Sequence, residues 1–403
     1  MVIYPGDWEV KRLGDIGTFI KGAPFSKADI STSGTPMILY GELYTTYKEV
    51  AYKVQRHTQR KAKAQYYSNV GDVIIPASGE TAEEISKATC VMIPGVILAG
   101  DLHIYRTDKL DGRFLSYVIN HVINRQISEI AQGISIIHIS ARELAKIPVY
   151  YPPLKEQTAI AETLAAFDTH ITNLTELITK KKAIRDGALD DLMSGRTRLY
   201  GFCGDWEVKT LGECGKFVSG NGFPLKHQGQ RKGAYPFYKV SDFSNEGNEN
   251  YMFRANNYIS DDVAKKLSCN IIPAASVIFA KIGAAIFLER KRITTCDCCI
   301  DNNMMSFQPS QNISSRFIWY LMQKLKFGDY VQTTALPSLS GKILADILIP
   351  LPTLDEQIAI ADTLSALDKE ISSLETERAK ISNIRDGAIN DLLTGKVRLK
   401  IGI

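Results

Sequence analysis

Read end to end, the chain is written twice. Gly6-Asp7-Trp8-Glu9-Val10-Lys11 returns unchanged as Gly204-Asp205-Trp206-Glu207-Val208-Lys209, and Leu154–Tyr200 aligns without gaps on Leu354–Lys400. The aligned stretches keep Glu156-Gln157 as Glu356-Gln357, Ile184-Arg185-Asp186-Gly187-Ala188 as Ile384 to Ala388, and Gly195, Arg198 and Leu199 as Gly395, Arg398 and Leu399. Between these matched ends the halves diverge strongly. Repetition on this scale constrains the fold before any single residue does. It gives four segments: a variable domain over 1–152, a constant segment over 153–203, a second variable domain over 204–352 and a second constant segment over 353–403. A duplication that served packing alone would diverge evenly. Divergence confined to two segments points to two shared scaffolds that face different things outside.

The constant segments read as long helices. The first follows Pro152-Pro153, a helix-start signal, and its apolar residues fall at Ile160, Leu164, Phe167, Ile171, Leu174 and Ile178. The second repeats the pattern with Ile360, Leu364, Leu367, Ile371 and Leu374, continuing to Ile381, Ala388 and Leu392. Alternating steps of four and three make a coiled-coil seam. Each rod ends at a glycine, Gly195 or Gly395, the residue type that favours a C-terminal cap; at ~1.5 Å per residue it is roughly 60 Å long. Neither seam can be buried alone, so the two helices are expected to pair, antiparallel, about a pseudo-twofold axis. Within them a glycine costs roughly 0.5–1 kcal/mol relative to alanine. Its retention in both copies points to a close crossing, with the sister helix or with a partner. Glu156, Gln157, Arg185, Asp186, Gly187, Glu356, Gln357, Arg385, Asp386 and Gly387 are the candidate residues for helix crossing and partner docking.

Both variable domains read as α/β (α+β). Strand-like runs include Val73-Ile74-Ile75, Leu102–Tyr105, Val277–Ala280 and Met304–Phe307, and amphipathic helices are expected at about Arg113–Ile130 and Arg316–Phe327. The net charge is +4, and the basic excess lies in these domains while the helical segments are slightly acidic. That distribution suits contact with phosphate. Loops that mix basic, amide, hydroxyl and aromatic residues supply the candidate DNA contacts. In the first domain these are Lys21, Ser26, Lys27, Tyr40, Glu42, Tyr44, Thr45, Thr46, Ser78, Glu80, Thr81, Ser135 and His138. In the second they are Asn221, Lys226, Lys239, Ser241, Asp242, Lys281, Asn302, Asn303 and Ser338. Lys and Arg can hold phosphate or guanine, Asn can read adenine, and Asp or Glu can accept from cytosine. Glu42 and Asp242 occupy matching repeat positions. An ordinary solvated loop carries the same residue types, so the residues alone leave both readings open.

Other classes of function find little support. No apolar run approaches the ~18 residues of a membrane span, and the first residues do not resemble a signal peptide. Seven cysteines without a disulfide spacing point to a reducing, cytoplasmic setting. Cys296, Cys298 and Cys299 lack the second ligand pair of a tetrahedral metal site and are expected in or beside a buried strand. There is no phosphate-binding glycine loop with its lysine, no HExxH and no nucleophile elbow. Tyr150-Tyr151-Pro152-Pro153 lacks the asparagine of an adenine-methyltransferase motif. Glu289-Arg290-Lys291 has the form of a nuclease metal site, but the same pattern recurs within the repeated scaffold at Glu9 and Glu207. Neither a catalytic residue nor a metal site is expected.

Taken together, the doubled helix start (Pro152-Pro153-Leu154-Lys155-Glu156-Gln157, echoed at Pro352 to Gln357), the two long helices, the Trp-Glu-Val-Lys openings and the order of segments resemble the specificity (S) subunit of type I restriction-modification systems. The resemblance spans essentially the whole chain, with Thr353 replacing the second proline. It implies that each variable domain is a target recognition domain for one half of a split, asymmetric site in double-stranded DNA. It also implies that the helices set the gap and dock two methyltransferase (M) subunits, which motor-nuclease (R) subunits can join. S-adenosylmethionine, Mg and ATP are then expected only in those partners, with no cofactor and no catalysis in this chain. The alternatives are a stand-alone bipartite DNA-binding protein and a scaffold that touches no DNA.

Overall fold

A computed structural model describes residues 4–133, 136–331 and 336–399. The chain divides into two compact units, Met1–Glu176 with Glu375–Ile403, and Leu177–Leu374. Each unit therefore holds one variable domain, the start of one long helix and the end of the other.

In the first unit a five-stranded sheet runs in the order Thr18–Lys21, Leu102–Arg106, Asp72–Pro76, Thr89–Val91, Val50–Ala51. All neighbours are antiparallel except the last pair. A three-stranded sheet places Thr35–Leu39 between Arg56–Thr58 and Ile97–Ala99. The runs read as strands from sequence lie inside these elements. Asp72–Pro76 is buried throughout, as a central strand of continuous apolar residues must be. The helix Gly112–His121, capped by Asp111, packs Phe114, Leu115, Tyr117 and Val118 into the core. The expected single helix to Ile130 is broken at Val122-Ile123, after which Asn124–Glu129 forms a second short helix.

The second unit repeats this plan. Its five-stranded sheet runs Gly215–Ser219, Met304–Pro309, Val277–Ala280, Lys291–Thr294, Tyr251–Met252, again antiparallel except for the last pair. Tyr235–Tyr238 lies between Tyr258–Ile259 and Cys299–Ile300. The amphipathic helix is Ser315–Lys324, capped by Ser314, and a 3-10 turn takes over at Phe327. Cys298 and Cys299 are buried at the Cys299–Ile300 strand, while Cys296 is exposed.

The long helices are Leu154–Ser194, 41 residues, and Leu354–Leu393, 40 residues. In the first unit Ile160, Ala161 and Leu164 share a core with Ile389, Leu392 and Leu393. In the second, Ile360, Ala361 and Leu364 share one with Leu189, Leu192 and Met193. The start of one helix thus meets the end of the other in both units, the expected antiparallel pairing. Each buried Leu or Ile contributes about 1.5–3 kcal/mol. Gly195 and Gly395 close the helices in the left-handed region, at φ 70° and 69°, where a glycine has no Cβ to strain. No helix among the described residues is long and apolar enough to cross a membrane.

A two-stranded ribbon ties each variable domain to its helix. Glu9–Arg12 pairs with Pro148–Tyr151, and Glu207–Thr210 with Leu348–Leu351. These are the repeated openings read in the sequence.

Candidate nucleic-acid interface

In the first unit most of the candidate contacts converge. Ser26, Lys27, Tyr40, Glu42, Tyr44, Thr45, Ser78, Glu80 and His138 line one cleft of about 850 Å3, together with Phe25, Arg56 and Asp101. The three-stranded sheet and its turns build it. Tyr44 donates its hydroxyl to Ser78 O at 2.7 Å, which ties the Glu42–Thr45 turn to the Ser78-Gly79 strand. Ser26 caps the following 3-10 turn and is itself bonded by Asp29. Lys21 stands at the margin, largely exposed and 3.6 Å from Asp101. Thr46 lies beside Thr45, their hydroxyls 3.3 Å apart. Thr81 serves its own helix instead, capping Ala82–Ile85 by accepting from Glu84 N. Ser135 lies outside the described residues.

Glu42 sits at the base of the cleft, 3% exposed. One carboxylate oxygen accepts from Leu39 N at 2.9 Å, and the other lies 3.1 Å from Arg56 Nε. Burial raises its carboxyl above the ordinary range, against the backbone bond and the arginine. Burial also pushes the Tyr44 phenol up, with Glu84 adding to it.

The second unit gathers its candidates around the end of the Val277–Ala280 strand. Lys281 Nζ donates to Ser219 Oγ at 3.0 Å, and Lys281 N donates to Asn303 O at 2.8 Å. Ile282 pairs with Ser338. Asn221 bridges to Asp301 along the backbone, and its side chain grips Ser268 O and Asn270 N. Asn303 N donates to Asp301, whose carboxyl is raised by burial. Asn302 and Ser241 are exposed, as is Lys226 on the Leu225–His227 turn. Lys239 reaches Gln228 at 3.1 Å.

Asp242 departs from expectation. It is fully buried, and its oxygens accept from Lys239 N at 2.8 Å, Asn256 N at 2.7 Å and the Asn245 amide. Both oxygens are spent within its own loops, so it builds the surface and offers no acceptor to a base. Glu42 and Asp242 both hold a backbone N–H three residues upstream; the extra methylene of Glu42 carries its second oxygen out to Arg56.

Several expected docking residues also turn inward. Glu156 is buried and accepts two bonds from Arg398, at 2.5 and 2.6 Å, while Arg398 also holds Asp7. Glu356 accepts equally from Arg198 and is joined by Trp206 Nε1 at 3.1 Å. Gln157 accepts from Asp111 N and donates to Pro152 O; Gln357 accepts from Ser314 N and donates to Pro352 O. The Glu-Gln pair thus fastens the helix start to the variable domain's helix and to the repeated tryptophan segment. Arg385 pairs with Asp168 at 2.6 Å and Glu49 at 3.1 Å, and Arg185 approaches Asp368 at 3.5 Å. Tyr117 and Tyr320 donate to those same two aspartates. The two tyrosines fasten the helix pair to each domain's own helix, and Arg385 adds a tie to Glu49.

The glycines do not make the expected crossing within the chain. A Cβ on Gly187 or Gly387 would meet nothing within 4 Å. Leu189 and Leu192, or Ile389 and Leu392, carry the helix contact on another face. Gly187 and Gly387 point to solvent, as do Ile184, 57% exposed, and Ile384, 45% exposed. Asp186 and Asp386 are exposed too.

Arg56, Asp101 and Asn270 carry no such signal in the sequence. Arg56 lies in a short strand without glycine or proline punctuation, and its place in the cleft comes only from pairing with Thr35–Leu39. Among the described residues no group of His, Cys, Asp and Glu could hold a metal ion.

Comparison with known proteins agrees with this architecture. A family model described as the type I restriction modification DNA specificity domain matches the chain twice, over residues 5–184 and 204–383. The type I restriction enzyme MjaVIII specificity subunit of Methanocaldococcus jannaschii is 25% identical over 98% of this chain and 94% of its own length. The EcoR124I/EcoR124II specificity subunit of Escherichia coli is 24% identical over 66% of each. The crystal structure of an S subunit from M. genitalium superposes with a TM-score of 0.62 at 16% identity, covering 98% of this chain and 97% of that one. A chain from a study of complex assembly and conformational transition in the type I R-M system gives 0.52 at 14% identity, over 98% of this chain and all of that one.

Proposed function

Since the chain belongs to the type I restriction modification DNA specificity family, we propose that its two units read the two halves of a split, asymmetric DNA site. The observation that carries this reading is one strand order bearing two different sets of polar side chains. The first unit offers Lys27, Tyr40, Glu42 and Arg56 in its cleft, and the second offers Lys281, Asn302 and Asn303 from its loops. A shared scaffold with exchanged readers suits two different sequences, since phosphate contacts position a protein and base contacts specify the site.

The long helices are the spacer between half-sites and carry the methyltransferase partners. Ile184, Gly187 and their copies Ile384 and Gly387 support the second role. They are repeated yet exposed, so packing within the chain does not account for them. A glycine costing roughly 0.5–1 kcal/mol with open space above it leaves room for another backbone. The same patch on both helices suits two copies of one partner. S-adenosylmethionine and the transfer of its methyl group belong to that partner, as do Mg and ATP to any motor-nuclease subunit; this chain supplies address and alignment, in the cytoplasm where the genome lies.

The test is adenine methylation across the host genome with and without the gene. Loss of one split, asymmetric motif on deletion is the expected result; an unchanged set of motifs overturns the reading.

A further inference from the structure

Resting on that reading, we propose that Arg56 is a specificity-determining residue of the first unit, reading a guanine through its terminal nitrogens, with Glu42 as its positioning residue. Arg56 begins the edge strand Arg56–Thr58 and pairs with Met37 in the sheet that floors the cleft. Its Nε lies 3.1 Å from the buried Glu42 Oε1, an ion pair without hydrogen-bond geometry. That leaves the outer fork, Nη1 and Nη2, without a hydrogen bond among the described residues, on a side chain 38% exposed at the cleft.

A carboxylate at Nε does a particular thing. It attracts the guanidinium from its inner side, restrains the long side chain and leaves the two outer donors on the side away from itself. A phosphate contact, which can also be bidentate, carries no sequence preference however firm the restraint. Bidentate bonding to guanine O6 and N7 depends on it, since both bonds form only from one orientation. In the second unit, Asp242 is satisfied by Asn256 N and Asn245, and no arginine joins it among the described residues. The effect of Arg56 is therefore confined to one half-site.

The experiment compares the genome methylation motif of strains carrying the wild-type chain, Arg56→Ala, Arg56→Lys and Glu42→Gln. Arg56→Ala should relax one guanine position in one half-site, by on the order of ten- to a hundredfold in discrimination, leaving the other half-site and the gap unchanged. Arg56→Lys keeps the charge and loses the fork, so it should relax the same position while overall methylation persists. Glu42→Gln retains an acceptor for Leu39 N and should weaken the same position less. An unchanged motif in Arg56→Ala, or a fall that is uniform across all sequences as for a phosphate contact, overturns the proposal. If Arg56→Ala abolishes methylation, Arg56→Lys decides, and unaltered discrimination there overturns it too. A wild-type chain that governs no split motif defeats the functional reading itself, a result distinct from these.

Discussion

Arg398 and Arg198 occupy matching positions, but their loss should not cost the same. Each bonds a buried glutamate through two nitrogens. In the second unit Trp206 Nε1 also donates to Glu356, whereas Trp8 Nε1 is buried without a partner. Arg398→Ala leaves Glu156 without its donor, and stranding a buried acceptor costs about 1–3 kcal/mol, more when it is charged. Arg198→Ala leaves Glu356 one bond. The first substitution should therefore destabilise its unit more than the second, as hydrogen exchange resolved by unit can measure; equal losses would refute the comparison. Glu49 gives a pH dependence. Burial alone would push its carboxyl up, but the His121 bond, its own backbone and Arg385 outweigh burial and hold it at about 2, below its ordinary 4.5. A depressed folded value adds stability that is complete above the unfolded value and lost as pH falls toward the folded one. Stability of the first unit should decline between pH 4.5 and about 2, and Glu49→Gln should flatten that decline in acid unfolding curves.

At the scale of elements, the exposed glycines separate stability from assembly. Gly187→Ala adds a methyl into open space on a helix and should stabilise the isolated chain by about 0.5–1 kcal/mol. The same methyl should weaken capture of the methyltransferase partner. A more stable chain that assembles unimpaired would show that the notch serves no partner. The helices and their pairing were legible in the sequence because a seam of Ile160, Leu164, Ile360 and Leu364 is a local periodicity that can be buried in few ways. The role of Gly187 was not, because whether a backbone approaches it is decided by which helix face Leu189 and Leu192 turn inward. The cleft was half legible. Punctuated loops around Ser26, Tyr40 and Ser78 marked themselves by composition, while Arg56 is brought beside them by strand pairing alone. Glu42 and Asp242 looked interchangeable in sequence, and one methylene separates a carboxylate that meets Arg56 from one spent entirely on its own loops.

For the whole molecule, the decisive fact is that the first unit is not a continuous stretch of chain. The first is completed only when residues 375–403 return to it, bringing Ile389, Leu392 and Leu393 into a core begun by Trp8, Leu13 and Val73. Contacts of such long sequence separation slow folding. Each variable domain is thus fastened to the helix pair, by Arg385 and Tyr117 in one unit and by Tyr320 and Glu356 in the other. The domain loops remain free to change while those fastenings persist. Each unit should read its own half-site, and exchange of one domain is the direct test. Residues 1–152 would be replaced by the matching domain of another family member, and the genome methylation motif determined. A motif with one new half-site, the other half-site retained, is the expected result. A motif changed in both halves, or in neither, contradicts it.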